Sequence, residues 1–202
     1  MKSSRTTSRN LANDLGTRLC LALLLLLGAA VRPGASWAAG DSPRDPDAQL
    51  EIKAKHLCSM PRFIDWPQET LPNSDSPIVI GVMGSDRFIE FVQREAEGKT
   101  IKGHPLQVRR PSGRGFQSCH VLFVSDLAWR RGPRLIELLK HRPILTVGET
   151  HGFARSGGIA NFRLDDDRLY LEVNDDAAKR ARLNISSKLL RLRFCTIVRD
   201  AG

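Results

Sequence analysis

Cysteine and histidine are the side chains in this sequence that could carry nucleophilic or metal chemistry, and the chain has four cysteines and five histidines. Zinc sites need ligands at short, regular spacings such as C-x-x-C, and this sequence has no such spacing. Cys119 and His120 are adjacent, and neighbours in a strand point to opposite faces, so they do not pair with each other. A cysteine enzyme would therefore need an exposed Cys119 within hydrogen-bond reach of His151.

A turn that contains glycine is the second candidate for chemistry. Gly81, Gly84, Ser85 and Asp86 stand at the end of a predicted strand, where the first amides of the next helix could face an anion. The turn has no lysine or arginine to clamp an anion, so the sequence favours plain packing of strand against helix. The acidic run Asp165–Asp167 lacks the spacing of a calcium-binding loop and is predicted as a solvated hairpin tip.

The common catalytic patterns are absent from the sequence. It has no G-x-S-x-G motif, no phosphate-binding loop of the G-x-x-x-x-G-K-[ST] type and no H-E-x-x-H helix. The motifs therefore give no support for these common classes of enzyme, and we expect no metal and no cofactor.

The elements that must position these residues are predicted from the hydrophobic pattern. The β-branched run Ile78–Met83 is typical of a central strand buried on both faces. Further strands are predicted at Leu106–Arg110, His120–Val124 and Ile144–Val147, and then an antiparallel hairpin from Ile159–Leu164 and Leu169–Val173. The order indicates a single layered α/β domain, with a mixed, mostly parallel sheet of about six strands flanked by helices and a C-terminal antiparallel hairpin.

Helices are predicted on both sides of these strands. The first runs over Ala48–Phe63, capped by Asp45 or Asp47 and ended or kinked by Pro61. The others are Arg87–Glu97, capped by Ser85 or Asp86, a helix from Ser125 or Asp126 to about His141, and a final helical region that starts at Asp175 or Asp176 and carries Cys195.

The N terminus has the layout of a secretory signal peptide. Basic residues precede the uncharged run 19–31, which is too short for a membrane-spanning helix, and cleavage is expected after Ala38. We expect a signal peptide over residues 1–38, a disordered lead-in over 39–47 and the α/β domain over 48–198. Removing the signal takes away five basic residues and one acidic residue, so the formal charge falls from +9 to +5. This modest charge on an exported protein gives no support for nucleic-acid binding.

Several blocks of residues stand in a recognisable order. They include Phe63-Ile64-Asp65-Trp66-Pro67, Gly98-Lys99-x-Ile101-x-Gly103-x-Pro105-Leu106, Cys119-His120-Val121-Leu122-Phe123, Gly157-Gly158-Ile159-x-Asn161-Phe162 and Ile185-Ser186-Ser187-Lys188-Leu189-Leu190. Across about residues 50 to 194 the chain resembles the YfiR/HmsC family of periplasmic proteins. The resemblance implies a non-enzymatic regulator that binds the periplasmic part of an inner-membrane diguanylate cyclase and represses it, which lowers cyclic-di-GMP and biofilm formation. It also implies an outer-membrane lipoprotein that sequesters the regulator.

Aromatic side chains are scarce, at 6% of the chain, so exposed ones would mark a partner surface. The candidates for partner binding are Trp66, Trp129 and Phe153. Trp66 and Phe153 stand beside chain-turning proline or glycine, which favours packing at the edge of the domain. Trp129 stands beside Arg130 and Arg131 and is expected at the surface. Whether the protein forms a homodimer is left open by the sequence.

Three cysteines remain after the signal peptide. Cys58 on the first helix and Cys195 on the last could form a disulfide if those helices lie side by side, with Cα atoms within about 7 Å. Cys119 takes the place of the family's cysteine before the histidine, but no second cysteine stands near the first strand. We therefore expect Cys119 to be a buried, inert thiol.

Small-ligand binding is the alternative function. An α/β sheet of this kind forms a crevice at the carboxyl ends of its strands, and here that crevice would lie near Gly84, Ser125 and Gly148. Tight binding of a small molecule by the purified protein would favour this alternative over regulation of a cyclase.

Overall fold

The computed structural model describes residues 45–73, 75–131, 134–165 and 168–201. The predicted signal peptide and residues 39–44 of the predicted lead-in lie outside the described residues. The helices are α1 (Pro46–Ser59), α2 (Asp86–Ala96), α3 (Asp126–Arg131), α4 (Leu135–Leu139), α5 (Asp175–Arg180) and α6 (Ser187–Leu190). The strands are β1 (Ile64–Asp65), β2 (Ile78–Met83), β3 (Thr100–Ile101), β4 (His104–Arg109), β5 (Val121–Val124), β6 (Leu145–Gly148), β7 (Ala160–Asp165), β8 (Arg168–Val173), β9 (Asn184–Ile185) and β10 (Cys195–Ile197).

Eight strands form one sheet in the order β10-β8-β7-β6-β5-β2-β4-β3, and β1 pairs with β9 in a separate antiparallel ladder. The central strands β4, β2, β5, β6 and β7 run parallel to one another, whereas β3 and β8 are antiparallel to their neighbours β4 and β7. The predicted fold class is confirmed. The sheet has more strands than the six expected, because β3 and β10 are too short to show a readable hydrophobic period.

The order of the strands creates a topological switch point. From β2 the chain crosses to β4 on one side, and it then returns to β5 on the other side of β2. The connections that follow β2 and β5 therefore leave in opposite directions, which opens a crevice outside the carboxyl ends of these two strands.

Both faces of the sheet are covered, as the continuous hydrophobic runs predict. In β5, Val121 and Phe123 join the larger hydrophobic cluster, while Leu122 and Val124 join the smaller one on the other face. Helices α1, α2 and α5 contribute to the larger cluster, and α4 contributes to the smaller.

Five of the six described helices begin with a side-chain cap, among them α1, α2 and α5, and each cap accepts a hydrogen bond from an early backbone N–H of its helix. Asp45 Oδ1 accepts from the Asp47 amide at 2.9 Å, and Ser85 Oγ accepts from the Phe88 amide at 3.2 Å. The cap of α5 is Asn174, not the predicted Asp175 or Asp176, and it accepts from Ala177 at 2.9 Å.

Three predicted helices are shorter than expected. The first changes at Met60 into a 3-10 turn that contains Pro61, because proline cannot continue the α-helical hydrogen bonds. The helix predicted from Ser125 or Asp126 to His141 is divided into α3 and α4, and the residues between Arg131 and Arg134 lie outside the described part of the chain.

The prediction of one long final helix that carries Cys195 is wrong. Helix α5 ends at Arg180, and Arg182 adopts a left-handed φ of 59°, which turns the chain away from the helix axis. The following residues form β9, α6 and β10, because Ile185 pairs with Ile64 of β1 and Cys195 pairs with Leu171 of β8. Cys195 therefore lies in an edge strand, where apolar spacing alone had suggested a helix.

Candidate functional site

A crevice of about 690 Å³ lies at the carboxyl ends of β2, β4, β5 and β6. Its apolar lining includes Val82, Phe88 and Phe123, which are at most 3% exposed, together with Leu50 and Met83. The rings of Phe88 and Phe123 are in tilted contact, with centroids 4.6 Å apart. The crevice therefore has an apolar and largely aromatic floor.

A network of charged and polar groups forms one wall of the crevice. Lys53 Nζ donates to Glu149 Oε2 at 2.8 Å, and the two side chains are only 14% and 24% exposed. Glu149 Oε1 accepts a hydrogen bond from the Asp126 amide at 3.3 Å, and Thr150 Oγ1 donates to Asp126 Oδ1 at 3.0 Å. Lys53 Nζ also lies 5.6 Å from the centroid of the Phe88 ring. The network connects α1 to the segment after β6 and to the start of α3.

Two arginines complete the rim and differ in their partners. Arg110 donates to the Gly84 carbonyl at 3.2 Å and forms an ion pair with Asp86. Arg131 also lines the crevice, and its exposed side chain has no ion-pair or hydrogen-bond partner among the described residues.

The sequence predicted the position of this crevice but not the charged residues that line it. Gly84 and Ser125 line it as expected. Gly148 instead lies against Phe153, and a Cβ atom on Gly148 would come within 2.3 Å of Phe153 Cγ. Sequence reasoning missed Lys53 and Glu149, because they are 96 residues apart and nothing local to either residue signals the other.

Two of the three aromatic candidates are in contact. Phe153 is completely buried and packs against Gly148 and Gly158, which is the packing role expected from its sequence context. Trp129 is half-buried, and its ring meets that of Phe153 edge to face at 5.1 Å. No residue of α3 is buried, and Leu127 is 58% exposed, so α3 presents Trp129 at the surface.

Trp66 lies at the other end of the parallel strands. Its ring meets His120, which directly precedes β5, edge to face at 6.2 Å. His120 Nδ1 accepts a hydrogen bond from the Val79 amide at 2.9 Å, so the neutral tautomer places the proton on Nε2, which donates to the Thr70 carbonyl at 3.2 Å. Burial lowers the pKa of His120, which favours this neutral form. The imidazole therefore joins two backbone segments without carrying a charge.

The three cysteines of the described residues are free thiols. Cys58 is buried in α1 and donates to the Val92 carbonyl, with 3.7 Å between sulfur and oxygen, and burial raises its pKa to about 12. Cys119 is 4% exposed, and its sulfur lies 3.9 Å from the Gly115 carbonyl oxygen. Burial raises the pKa of Cys119 and of the half-buried Cys195 as well. Neither Cys58 nor Cys119 is a thiolate nucleophile in this arrangement. Cys58 and Cys195 are not bonded to each other in this structure, and the condition for their disulfide, two helices side by side, is not met because Cys195 lies in β10.

Metal-binding clusters and membrane-spanning helices are both absent from the described part of the chain. There, no cluster of three or more histidine, cysteine or carboxylate side chains is arranged to hold a metal ion. No helix in that part combines the length and the hydropathy needed to cross a membrane.

The comparisons with known proteins identify one similarity. The family model described as DUF4154, YfiR/HmsC-like, matches residues 50–193, which is most of the chain. None of the curated proteins compared with the chain matches it.

Proposed function

The chain belongs to the YfiR/HmsC-like family, and on that premise we propose that it binds and represses an inner-membrane diguanylate cyclase from the periplasm. The family is one of periplasmic, non-catalytic regulators of diguanylate cyclase signalling. In this proposal the signal peptide is cleaved, and the domain binds the periplasmic part of the cyclase and lowers cyclic-di-GMP and biofilm formation.

The match to the family over residues 50–193 is the observation that carries this proposal, because it includes nearly the whole described domain from α1 to α6.

Helix α3 is the surface that we assign to the cyclase. Partner surfaces are enriched in tryptophan and arginine, and well-packed aromatic anchors carry much of their binding energy. Trp129 is held in place by Phe153 while part of its ring stays exposed, and Arg130 beside it is 74% exposed. Leu127 adds an exposed apolar side chain on the same helix.

Deletion of the gene in its native host tests the proposal. We expect cyclic-di-GMP and surface attachment to rise, and the wild-type gene to restore both when supplied in trans. Unchanged nucleotide levels in a host shown to possess a diguanylate cyclase with a periplasmic domain would contradict the proposal.

Two pairs of matched variants locate the surface in the same complementation assay. Trp129→Ala should restore repression less well than Tyr170→Ala, which truncates another partly exposed aromatic residue on β8. Arg130→Glu should fail to restore repression, whereas Arg182→Glu should restore it. The two variants are matched because each reverses the charge of an exposed arginine that has one carboxylate partner. Equal repression by all four variants would contradict the assignment of α3 as the surface that binds the cyclase. It would not contradict the regulatory function, which the deletion experiment tests separately.

An outer-membrane lipoprotein that competes for the same surface would release the cyclase, and we include this relief of repression in the proposal. A homodimer remains a prediction, and light scattering of the purified mature protein measures it directly.

A further inference from the structure

We propose that the crevice at the carboxyl ends of β2 and β5 binds a small amphiphilic monoanion, which is a carboxylate attached to an aliphatic or aromatic body. This inference goes beyond regulation of a cyclase and does not depend on it. It assigns a ligand class to a cavity lined by residues of β2, β5, α1, α2 and α3 and of the segments that follow the strands.

The size and position of the cavity suit a small molecule. Its volume of about 690 Å³ is in the range of roughly 300–1,000 Å³ found for small-molecule sites. It also opens at the topological switch point of the sheet, where α/β folds bind their ligands.

The floor indicates an apolar ligand body. Val82, Phe88, Phe123, Leu50 and Met83 supply apolar groups to the lining of the cavity. These groups offer no hydrogen bonds, so burying a polar ligand against them would leave its donors and acceptors without partners. Leu127 also lines the crevice and is 58% exposed, and the apolar body of a bound ligand would cover it.

The charges of the rim indicate a single negative headgroup. Three cationic and two anionic side chains line the crevice, which leaves one positive charge in excess. Lys53 is neutralised by Glu149, Arg110 by Asp86, and Asp126 by Arg130. Arg131 alone among the charged lining residues that the structure describes is left without a counter-charge.

The backbone favours the same sign of charge. Gly84 and Ser85, which immediately precede the eleven-residue helix α2, line the crevice, so the positive end of the dipole of α2 lies at its wall. Together with the guanidinium of Arg131, this end of α2 attracts a carboxylate and repels an ammonium group of the same shape.

Calorimetric titration of the mature protein tests the inference. The probes are decanoate below its critical micelle concentration, decyltrimethylammonium as a cation of similar chain length, and acetate as a headgroup without a body. We expect decanoate to bind at one site with a Kd of about 10–100 μM. Decyltrimethylammonium and acetate should bind at least about tenfold more weakly, since the first lacks the negative charge and the second lacks the apolar body.

Two variants place the probe in the crevice. A Cβ atom at Gly84 would meet Phe88, Val82 and Phe123 at 3.5–3.8 Å, so Gly84→Leu fits the backbone and fills the floor, and it should abolish binding. The matched control is Gly115→Leu, because a Cβ atom at Gly115 meets nothing within 4 Å. Arg131→Gln changes an exposed side chain and removes its positive charge. It should weaken the affinity for decanoate about tenfold and leave the affinity for decyltrimethylammonium unchanged.

Absence of decanoate binding, equal affinity for anion and cation, or undiminished binding by Arg131→Gln would each overturn the inference. Undiminished binding by a folded Gly84→Leu variant would overturn it as well. These titrations contain no cyclase, so their failure is distinguishable from failure of the regulatory proposal.

Discussion

The two ends of the parallel strands are built in different ways. At the carboxyl end, charged side chains surround a crevice of about 690 Å³, and α3 keeps all its residues at least partly exposed. At the amino end, the neutral ring of His120 binds two backbone segments and packs against Trp66. The comparison indicates that the carboxyl end has the larger crevice and is available for partners and ligands, whereas at the amino end, where the cavities are only about 220 and 290 Å³, side chains hold backbone segments together and stabilise the fold.

The difference has its origin in the connections of the chain. At the carboxyl ends of β2 and β5 the following segments diverge, so side chains from distant elements surround the space between them. At the amino end the short ladder of β1 with β9 brings the segment before Trp66 against the domain, and Lys102 donates to the Ile64 carbonyl at 3.1 Å.

The largest expected effect concerns the aromatic pair of Phe153 and Trp129 at the carboxyl end of the parallel strands. Phe153→Ala removes a fully buried ring that occupies the space above Gly148 and Gly158, so we expect the free energy of unfolding to fall by about 4 kcal/mol. Trp129→Ala should cost less, because part of that ring is already exposed. Urea denaturation of both variants measures the difference. A smaller loss for Phe153→Ala than for Trp129→Ala would contradict the division between a buried support and a surface anchor.

A smaller effect is expected from acid at the amino end. Burial lowers the pKa of His120 below its usual value of 6.5, so the unfolded chain takes up the proton first as the pH falls. The stabilisation from neutral His120 is present above pH 6.5 and is lost as the pH decreases below it, because a proton on Nδ1 would face the Val79 N–H. Nearby Arg109 and His104 act in the same direction.

The matched variant for this effect is His120→Gln, whose amide can accept from Val79 and donate to Thr70 without titrating. Urea denaturation at pH 7.5 and pH 5 should show a smaller loss of stability for the variant than for the wild type. Some loss should remain, because burial also lowers the pKa of His56. An identical pH dependence in the two proteins would show that neutral His120 does not stabilise the amino end.

The smallest effect concerns the ion pairs of α1. Lys53→Met removes the partner of Glu149 from the crevice wall, where both side chains are mostly buried, and should cost about 1 kcal/mol. Arg87→Met removes the partner of Asp47, an exposed pair that joins α2 to α1, and should cost nothing measurable. The free energy of unfolding of each variant, measured at low and at high salt, distinguishes the two ion pairs, because salt screens the exposed pair more than the buried one. Equal losses would mean that the crevice wall is as solvated as the open surface.

Local features of the sequence were sufficient for much of the fold. The strand predicted at Ile78–Met83 is β2 with the same bounds, and Ser85, one of the two residues predicted to cap the next helix, caps α2. The hairpin of β7 and β8 is also confirmed, because alternation and an acidic connection define it locally. Cys195 was misplaced because its strand of three residues is specified by pairing with Leu171, a contact that no sequence period reveals.

The candidate site was predictable only in position. Strand order places a crevice near Gly84 and Ser125, and the structure has one there. Its ion pair of Lys53 with Glu149 depends on how α1 packs across the sheet, and its unpaired Arg131 is identified only once the partners of every other charge are known. Such long-range contacts leave no mark on local composition.

The rate of cyclic-di-GMP synthesis by the host's full-length diguanylate cyclase, reconstituted in vesicles with its periplasmic domain facing outward, tests the central claim most directly. The account predicts that the mature protein lowers this rate in a dose-dependent manner, that Arg130→Glu at the carboxyl end loses the effect and that Arg182→Glu retains it. A rate that stays unchanged at saturating wild-type protein would contradict the account.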